Sequence, residues 1–341
     1  MRDTQLDIYR ALLMIYIPCV IHVMYLLADG GEPFMSLLLV EMPLVFFVSG
    51  ASLSVSRSRR GLWSTVVNRF KRILVPYYIY AAVLLAIAAV ATIGMKSAGV
   101  TGELPLDVTR YGWKDVAAVL LAQDIPQYPF MWHLWFIPPY LILSCTFPWQ
   151  VRLMEKTGRW PYIAACLLLF LAVRLLTDQP LLLQVLAYNV FMVAGFLFYR
   201  RMNSLAMLLC GTVALAVVLL GVLVWGTPFT PMQAHKFPPD WLYVAYNILA
   251  LCVLALVLGR IRLPGNRILS LWNVRGYNIY LYQSVAFAVI ELLRRYAPVC
   301  FPHPLLRAVV DGVMVFVLLT VISCVTYPLE RRVMRKLRLI A

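Results

Sequence analysis

The sequence predicts an all-α, polytopic membrane protein, and three observations support this fold class. Of the 341 residues, 62% are hydrophobic and only 13% are charged, whereas about one-quarter of the residues in soluble domains are charged. Apolar runs of roughly 18 to 22 residues recur along the chain, each long enough to cross about 30 Å of hydrocarbon. No stretch between the runs is long enough to form a separate soluble domain. A soluble enzyme, a disordered chain and a fibrous protein are therefore excluded.

About ten runs are predicted to cross the membrane as helices, and polar, charged or proline-containing segments separate them. The predicted spans are 8–28, 34–56, 73–94, 131–151, 161–177, 181–199, 204–226, 241–259, 272–293 and 305–327. Segment 113–125 is too short and too polar to cross, so we expect a helix that lies on the outer surface or dips into the membrane. The connection 227–240 contains four prolines and is predicted to be irregular. Residues 1–341 are interpreted as one transmembrane domain.

The distribution of charge sets the orientation. The net charge is +15, and most lysines and arginines lie in the termini and connections on one face of the ten-span arrangement. Because positively charged connections stay in the cytoplasm, both termini are predicted to be cytoplasmic, in the cell (inner) membrane. Such loops contact anionic lipid headgroups. A nucleic-acid-binding surface would need a basic face interleaved with aromatic residues on a soluble fold, so nucleic acid is excluded as a partner.

The cysteines predict neither a metal site nor a disulfide framework. Seven cysteines are present, but none of them form the paired spacing of zinc ligands. Six lie inside apolar runs, where cysteine behaves as a small core residue. We therefore predict no metal.

Ionisable side chains inside apolar runs are the first candidates for function, because each costs several kcal/mol in hydrocarbon. His22 lies twelve residues after Arg10, about 18 Å along a helix, so Arg10 is near the cytoplasmic face and His22 is past the midplane. Glu41 is about 10 Å inside the outer end of the second span, at a similar depth. It is expected to pair with His22 and raise its basicity. The alternative is an ion pair that only holds the helices together.

A pair of arginines suggests an anion site. Arg69 and Arg72 are three residues apart, so they share one helix face just inside the cytoplasmic boundary. Two guanidinium groups on one face suit a phosphorylated ligand. The alternative is that they only obey the positive-inside rule, which is the preferred explanation for the preceding basic segment, 57–60.

Polar and aromatic residues in two later spans are candidates for substrate binding. His133 opens the fourth span at the outer interface beside Trp135, although such a cluster is also typical of an interfacial aromatic belt. In the ninth span, Tyr280 and Gln283 share one face of an unusually polar stretch. No nucleotide-binding glycine loop, nucleophile elbow or zinc-protease motif occurs in the sequence.

Five motifs, taken in order, resemble integral-membrane acyltransferase family 3, whose members use acyl-CoA to modify extracytoplasmic glycans, lipids or small molecules. The motifs lie at 6–12 with His22 downstream, 41–50, 69–72, 133–136 and 277–283. The resemblance therefore covers nearly the whole chain. Three features depart from the family pattern. Eleven residues instead of ten separate Arg10 from His22, Glu41 replaces a frequent histidine, and Gln283 replaces another.

The extra residue between Arg10 and His22 has a geometric consequence. Eleven helical steps of about 100° return to the same face, whereas twelve steps end about 120° away. Pro18 cannot donate its amide to the carbonyl of Met14. We therefore expect a kink or a one-residue π-bulge around Met14 to Pro18, with Arg10 and His22 on the same inner side.

The resemblance implies transfer of an acyl group from cytoplasmic acyl-CoA, with acetyl-CoA as the expected donor, to a hydroxyl of a glycan, a lipid-linked glycan or another acceptor. His22 is then the general base and Glu41 orients it, while an acyl-imidazole intermediate on His22 is the alternative. Three arginines are expected to hold the CoA phosphates: Arg10, Arg69 and Arg72. Four residues are expected to line the substrate cavity: His133, Trp135, Tyr280 and Gln283. Ser49 and Gly50 are expected to let helices approach closely.

Two other classes of function stay open. A transporter or exporter of a polar or lipid-linked substrate would use the buried histidine and glutamate for proton coupling, although the sequence shows neither an inverted repeat nor paired broken helices. A binding or sensor module would use the same cavity without turnover. Release of free CoA by the purified protein separates the enzyme from both. The sequence leaves the oligomeric state open.

Overall fold

The computed structural model describes residues 3–27, 31–55, 62–99, 112–122, 130–199, 204–258, 261–296 and 303–336. Within these ranges the chain is helical and contains no strand, which confirms the all-α class. Each of the ten predicted spans forms helix, and eight helical segments are long and apolar enough to cross a membrane. The segments predicted at 131–151 and 272–293 are helical but fall outside these eight, so the count of ten crossings and the side of the termini stay predictions.

The helices have the following bounds. They are α1 Thr4–Tyr16, α2 His22–Leu26, α3 Phe34–Leu38, α4 Glu41–Val55, α5 Leu62–Ser97, α6 Trp113–Leu120, α7 Ile137–Thr157, α8 Arg159–Leu176, α9 Pro180–Phe198, α10 Ser204–Leu219, α11 Met232–Lys236, α12 Trp241–Leu258, α13 Arg267–Tyr296 and α14 Pro304–Lys336. A π-helical turn, Ile17–Ile21, joins α1 to α2, and a second, Leu220–Val224, follows α10. A 3₁₀ turn, Leu134–Phe136, precedes α7.

The chain forms two compact units. Unit 1 comprises Met1–Arg60, Trp149–Gly276 and Cys300–Phe316, and unit 2 comprises Gly61–Pro148, Tyr277–Val299 and Val317–Ala341. Helices α13 and α14 therefore have residues in both units.

Two glycines determine how closely α4 and α9 pack in unit 1. A Cβ atom added at Gly50 would overlap the backbone of Met192, and one added at Gly195 would overlap the backbone of Phe47. The expected close approach at Gly50 is thus confirmed, and Gly195 is its counterpart on the facing helix. Small residues of this kind let two helix backbones meet where apolar lipid gives no hydrophobic driving force.

Two tyrosines of α5 fix the end of α6 in unit 2. The hydroxyl of Tyr77 donates to the carbonyl of Val119 at 2.5 Å, and that of Tyr78 donates to the carbonyl of Leu120 at 2.8 Å. Tyr78 lies nineteen residues, about 29 Å of helix, before Ser97 at the end of α5. The end of α6 therefore lies far from the Ser97 end of α5, so α6 dips down along α5. The segment predicted at 113–125 folds as the shorter helix α6, and residues 123–125 lie outside the described residues.

Alanine at position 50 tests the close helix contact. Gly50→Ala forces the α4 and α9 backbones apart, and we expect it to lower the free energy of unfolding by more than about 2 kcal/mol. Thermal unfolding in detergent measures this change. The control is Gly94→Ala, also inside a helix but with no atom near its Cβ position, which should be neutral or slightly stabilising. Equal effects of the two substitutions would contradict the packing described here.

Candidate active site

The first span contains the predicted bulge. The amide of His22 donates to the carbonyl of Ile17, five residues earlier, within the π-helical turn Ile17–Ile21. This turn includes Pro18 and lies slightly later in the chain than Met14 to Pro18. Because a π turn absorbs one extra residue, the twelve residues from Arg10 to His22 act as about eleven helical steps, and the two positions end within about 20° of each other. The bulge predicted from the sequence is therefore confirmed in the first span.

Both side chains of the first span lie partly at the surface of unit 1. His22 is half-buried. The Arg10 side chain is 39% exposed and forms an ion pair with Asp7 of the same helix, at 3.2 Å. An exposed pair one turn apart contributes little stability, so Arg10 can exchange Asp7 for another anion at small cost.

The second span is broken, which the sequence did not predict. Helix α3 ends at Leu38 and α4 begins at Glu41, so the carbonyls at the end of α3 lose their helical partners. The hydroxyl of Tyr16 donates to the carbonyl of Leu38 at 2.5 Å, and that of Tyr246 donates to the carbonyl of Leu37 at 2.5 Å. Irregular backbone at membrane depth is tolerated where protein groups satisfy it in this way.

The predicted pairing of Glu41 with His22 is wrong. Glu41 is fully buried, and its Oε1 atom accepts a hydrogen bond from the Nζ of Lys236 in an ion pair. Its other oxygen, Oε2, accepts no hydrogen bond from any described residue. Lys236 itself is only 5% exposed. A full positive charge attracts a buried carboxylate more strongly than a neutral imidazole does, and the break places Glu41 at the first turn of α4.

The connection 227–240, predicted to be irregular, contains the short helix α11 and an ordered turn. His235 Nδ1 pairs with Asp240 at 2.6 Å, and its Nε2 lies 2.7 Å from the carbonyl of Pro228. The Asp240 carboxylate also accepts a hydrogen bond from the amide of Tyr243, in the first turn of α12. The hydrogen bond that His235 donates to the Asp240 carboxylate raises the pKa of His235 above its ordinary value. Sequence reasoning gave His235 and Lys236 no role, because both lie in an apparent loop.

In unit 2, Arg69 and Arg72 lie on one face of α5 as predicted. Arg69 is half-buried and within electrostatic range of Arg72 and of Tyr140 and Cys145 in α7, whereas Arg72 is exposed. Among the residues that the structure describes, neither arginine forms an ion pair with a carboxylate. The hydroxyl of Tyr277 donates to the carbonyl of Ile73, the residue directly after Arg72, at 2.9 Å, and so fastens this part of α5 to α13.

Two of the predicted substrate residues of unit 2, His133 and Tyr280, are in direct contact. The hydroxyl of Tyr280 donates to the carbonyl of His133 at 2.7 Å, and His133 Nε2 lies 3.1 Å from the carbonyl of Leu281. His133 and Gln283 are fully buried. Trp135, in the 3₁₀ turn, is half-buried. The structure therefore brings His133 and Tyr280 together, as part of a closed polar core.

A second polar network in unit 2 was missed. The side-chain amide of Asn278 donates to Glu330 Oε2 at 2.9 Å, and Thr326 donates to Asn278 Oδ1 at 2.9 Å. Both Asn278 and Glu330 are nearly inaccessible. Glu330 follows a proline and precedes a basic tail, so in the sequence it looks like an exposed helix end. No sequence signal distinguishes it.

The comparison with protein families agrees with these motifs. The family model described as an acyltransferase domain, that of acyltransferase family 3, matches residues 3–328. The chain therefore belongs to acyltransferase family 3 and is a multi-pass membrane protein of that family. No curated protein and no solved structure gives a significant match.

The ion pair of His235 predicts a pH-dependent stability. A raised pKa means that the pair stabilises the fold fully below about pH 6.5, the ordinary histidine value, and that this stabilisation is lost as the pH rises through the raised pKa. Asp240→Asn keeps a side-chain oxygen for the Tyr243 amide but removes the charge. We expect it to cost about 1 kcal/mol at pH 5.5 and much less at pH 9, measured by thermal unfolding.

The control for this experiment is Asp178→Asn. Asp178 is exposed and pairs with Arg174, whose charge does not change in this pH range. Its effect should be small and equal at both pH values. The same loss at pH 5.5 and pH 9 in Asp240→Asn would contradict the charged pair.

Proposed function

We propose that this member of the acyltransferase family transfers an acyl group, with acetyl as the expected group, from cytoplasmic acyl-CoA to a hydroxyl of an extracytoplasmic glycan or lipid-linked glycan. The protein would act in the cell (inner) membrane. The observation that carries the proposal is the π turn Ile17–Ile21, because it gives Arg10 and His22 a common side despite the extra residue between them. The turn removes the offset of about 120° that the extra residue would otherwise create between the two positions.

In the proposed reaction His22 acts as general base. Its neutral imidazole accepts the proton of the acceptor hydroxyl, and the oxygen attacks the carbonyl carbon of the thioester. A carbon–oxygen bond forms, the carbon–sulfur bond breaks, and the departing CoA thiolate takes up the proton that His22 holds. The acyl-imidazole route on His22 needs two transfers instead of one.

Arg69 and Arg72 are proposed to bind the phosphates of CoA. Their guanidinium groups share one face of α5 and have no carboxylate partner among the described residues, so phosphate can form charge-assisted hydrogen bonds with them without first displacing one. Arg10 is proposed to contribute a third contact, since Asp7 is its only ion-pair partner among the described residues. His133, Trp135, Tyr280 and Gln283 remain the proposed substrate residues, with His133 held by α13.

One observation favours the alternative of a transporter or exporter. The second span is broken at 39–40, and discontinuous spans with a charged group at the break occur in transporters. The two functions differ in their chemistry. A transferase releases one free CoA thiol for each acyl group that reaches the acceptor, whereas a transporter moves its substrate and leaves acyl-CoA intact.

The proposal predicts that His22→Ala abolishes transfer and leaves acyl-CoA binding intact. Loss of a general base lowers the rate by about 10²- to 10⁴-fold. The purified protein is incubated with acetyl-CoA and with surface glycans extracted from cells that lack this protein. The release of free CoA is measured. His303→Ala is the control, because His303 caps the first turn of α14 outside the proposed site. Near-normal turnover of His22→Ala would refute the assignment.

The arginine pair predicts a change in donor affinity. Arg69→Ala and Arg72→Ala should each weaken acyl-CoA binding by roughly 1.5–3 kcal/mol, the contribution of a hydrogen bond to a charged group. Lysine at either position should restore binding only in part, because it cannot form a bidentate contact with phosphate. Calorimetric titration with CoA gives the affinities. The control is Arg152→Ala, at an exposed position of α7, which should bind CoA normally. If all variants bind CoA with equal affinity, Arg69 and Arg72 do not bind the donor and only follow the positive-inside rule.

A further inference from the structure

Six buried polar side-chain atoms in unit 1 have no hydrogen-bond partner among the described residues, and they include Oε2 of Glu41 and the hydroxyl of Tyr25. Tyr25 lies within electrostatic range of Glu41, so the two atoms belong to the same region. A buried polar atom without a hydrogen bond costs about 1–3 kcal/mol, and such atoms in a stable fold call for an explanation.

The hydrogen-bonding chemistry of Glu41 Oε2 and the Tyr25 hydroxyl determines which chemical group can bind to both. A carboxylate oxygen only accepts hydrogen bonds, whereas a phenol both donates and accepts. An alcohol can donate its proton to Glu41 and accept the proton of Tyr25 at the same time. A carboxylate or phosphate cannot donate to Glu41 when ionised, and an ammonium group cannot accept from Tyr25.

The surroundings of Glu41 suit a sugar. The rings of Tyr16, Tyr188 and Tyr243 also lie within electrostatic range of its carboxylate. Aromatic side chains combine a large apolar surface with a polar edge, which matches the alternating apolar and hydroxyl surfaces of a carbohydrate. Because Lys236 neutralises Glu41, the region as a whole favours a neutral polyol over an anion.

Lys236 fixes the orientation of the carboxylate. Its ammonium group donates to Oε1 of Glu41, which leaves Oε2 as the oxygen that receives no hydrogen bond from any described residue. Lys236 is itself held by α11, since the amide of Met232 donates to Ser36 Oγ at 2.8 Å and Ser36 donates to Glu32 at 2.5 Å. These hydrogen bonds fasten residues 227–240 to α3, next to the break in the second span.

We propose that Glu41 and Tyr25 bind a hydroxyl of the acceptor, and that Lys236 is a positioning residue that acts through Glu41. This inference rests on the proposed acyl transfer and names its acceptor as a neutral, hydroxyl-rich molecule such as a sugar. Glu41 thus contributes through the acceptor and not through His22. Because Glu41 is fully buried and its partner Lys236 lies in the five-residue helix α11, binding of the acceptor requires α11 to move away from α3.

The double variant Glu41→Gln/Lys236→Met separates a binding role from a structural one. Each single substitution leaves one buried charge without its partner, so each should lower the unfolding temperature. The double variant removes both charges and should recover most of the wild-type stability. Its KM for surface glycans, extracted from cells that lack the protein, should nevertheless stay raised by about ten-fold, because a carboxylate accepts a stronger hydrogen bond than an amide. Its KM for acetyl-CoA should be unchanged.

Two further variants complete the test. Tyr25→Phe should raise the KM for the glycan a few-fold and leave the unfolding temperature unchanged. Lys114→Met removes an exposed lysine of α6 and should change nothing. The inference would be overturned if the double variant had both the stability and the glycan KM of the wild type. Glu41 and Lys236 would then have a structural role alone, with an ordered water bound to Glu41. If the wild type releases no glycan-dependent CoA, the proposed function fails first and the inference fails with it.

Discussion

Main-chain carbonyls that leave a regular helix inside an apolar environment must find a donor in the protein, and tyrosine hydroxyls meet this requirement repeatedly here. In unit 1, Tyr16 and Tyr246 bind the carbonyls freed where the second span breaks. In unit 2, Tyr77 and Tyr78 bind the last carbonyls of α6, and Tyr280 binds the carbonyl of His133. Two of the candidate functional residues, Glu41 and His133, lie at such irregular segments.

The same constraint applies to charge. A buried carboxylate in hydrocarbon needs a counter-ion, and Glu41 takes it from Lys236, which lies 195 residues later in the chain. The pair connects the break in the second span to residues 227–240, so a segment between two predicted spans becomes part of the interior of unit 1.

The sequence predicted the features that have a periodicity or a fixed spacing. The apolar runs predicted helix at each of the ten positions, although α5 and α14 extend well beyond 73–94 and 305–327. The twelve steps from Arg10 to His22 predicted a kink or a π-bulge near Pro18, and the structure has the π turn. The partners of individual side chains were not predictable. The break before Glu41 has no glycine or proline at 39–40, but Pro43 cannot donate an amide to the carbonyl of Leu39, and this is a local signal for the break. Lys236 stands in a proline-rich connection that resembles a loop, and its pairing with Glu41 depends on a tertiary contact between residues far apart in sequence.

The central claim is that the π turn exists to keep Arg10 and His22 on one side, and a one-residue deletion tests it most directly. Val20 is the most accessible residue of the turn, and its deletion leaves ten residues between Arg10 and His22, which a regular α-helix places on one face. Release of CoA with acetyl-CoA and surface glycans is the measurement, and insertion of one alanine after Val20 is the control. The account predicts that the deletion variant keeps most of its activity and that the insertion variant loses it. An inactive, folded deletion variant would contradict the account.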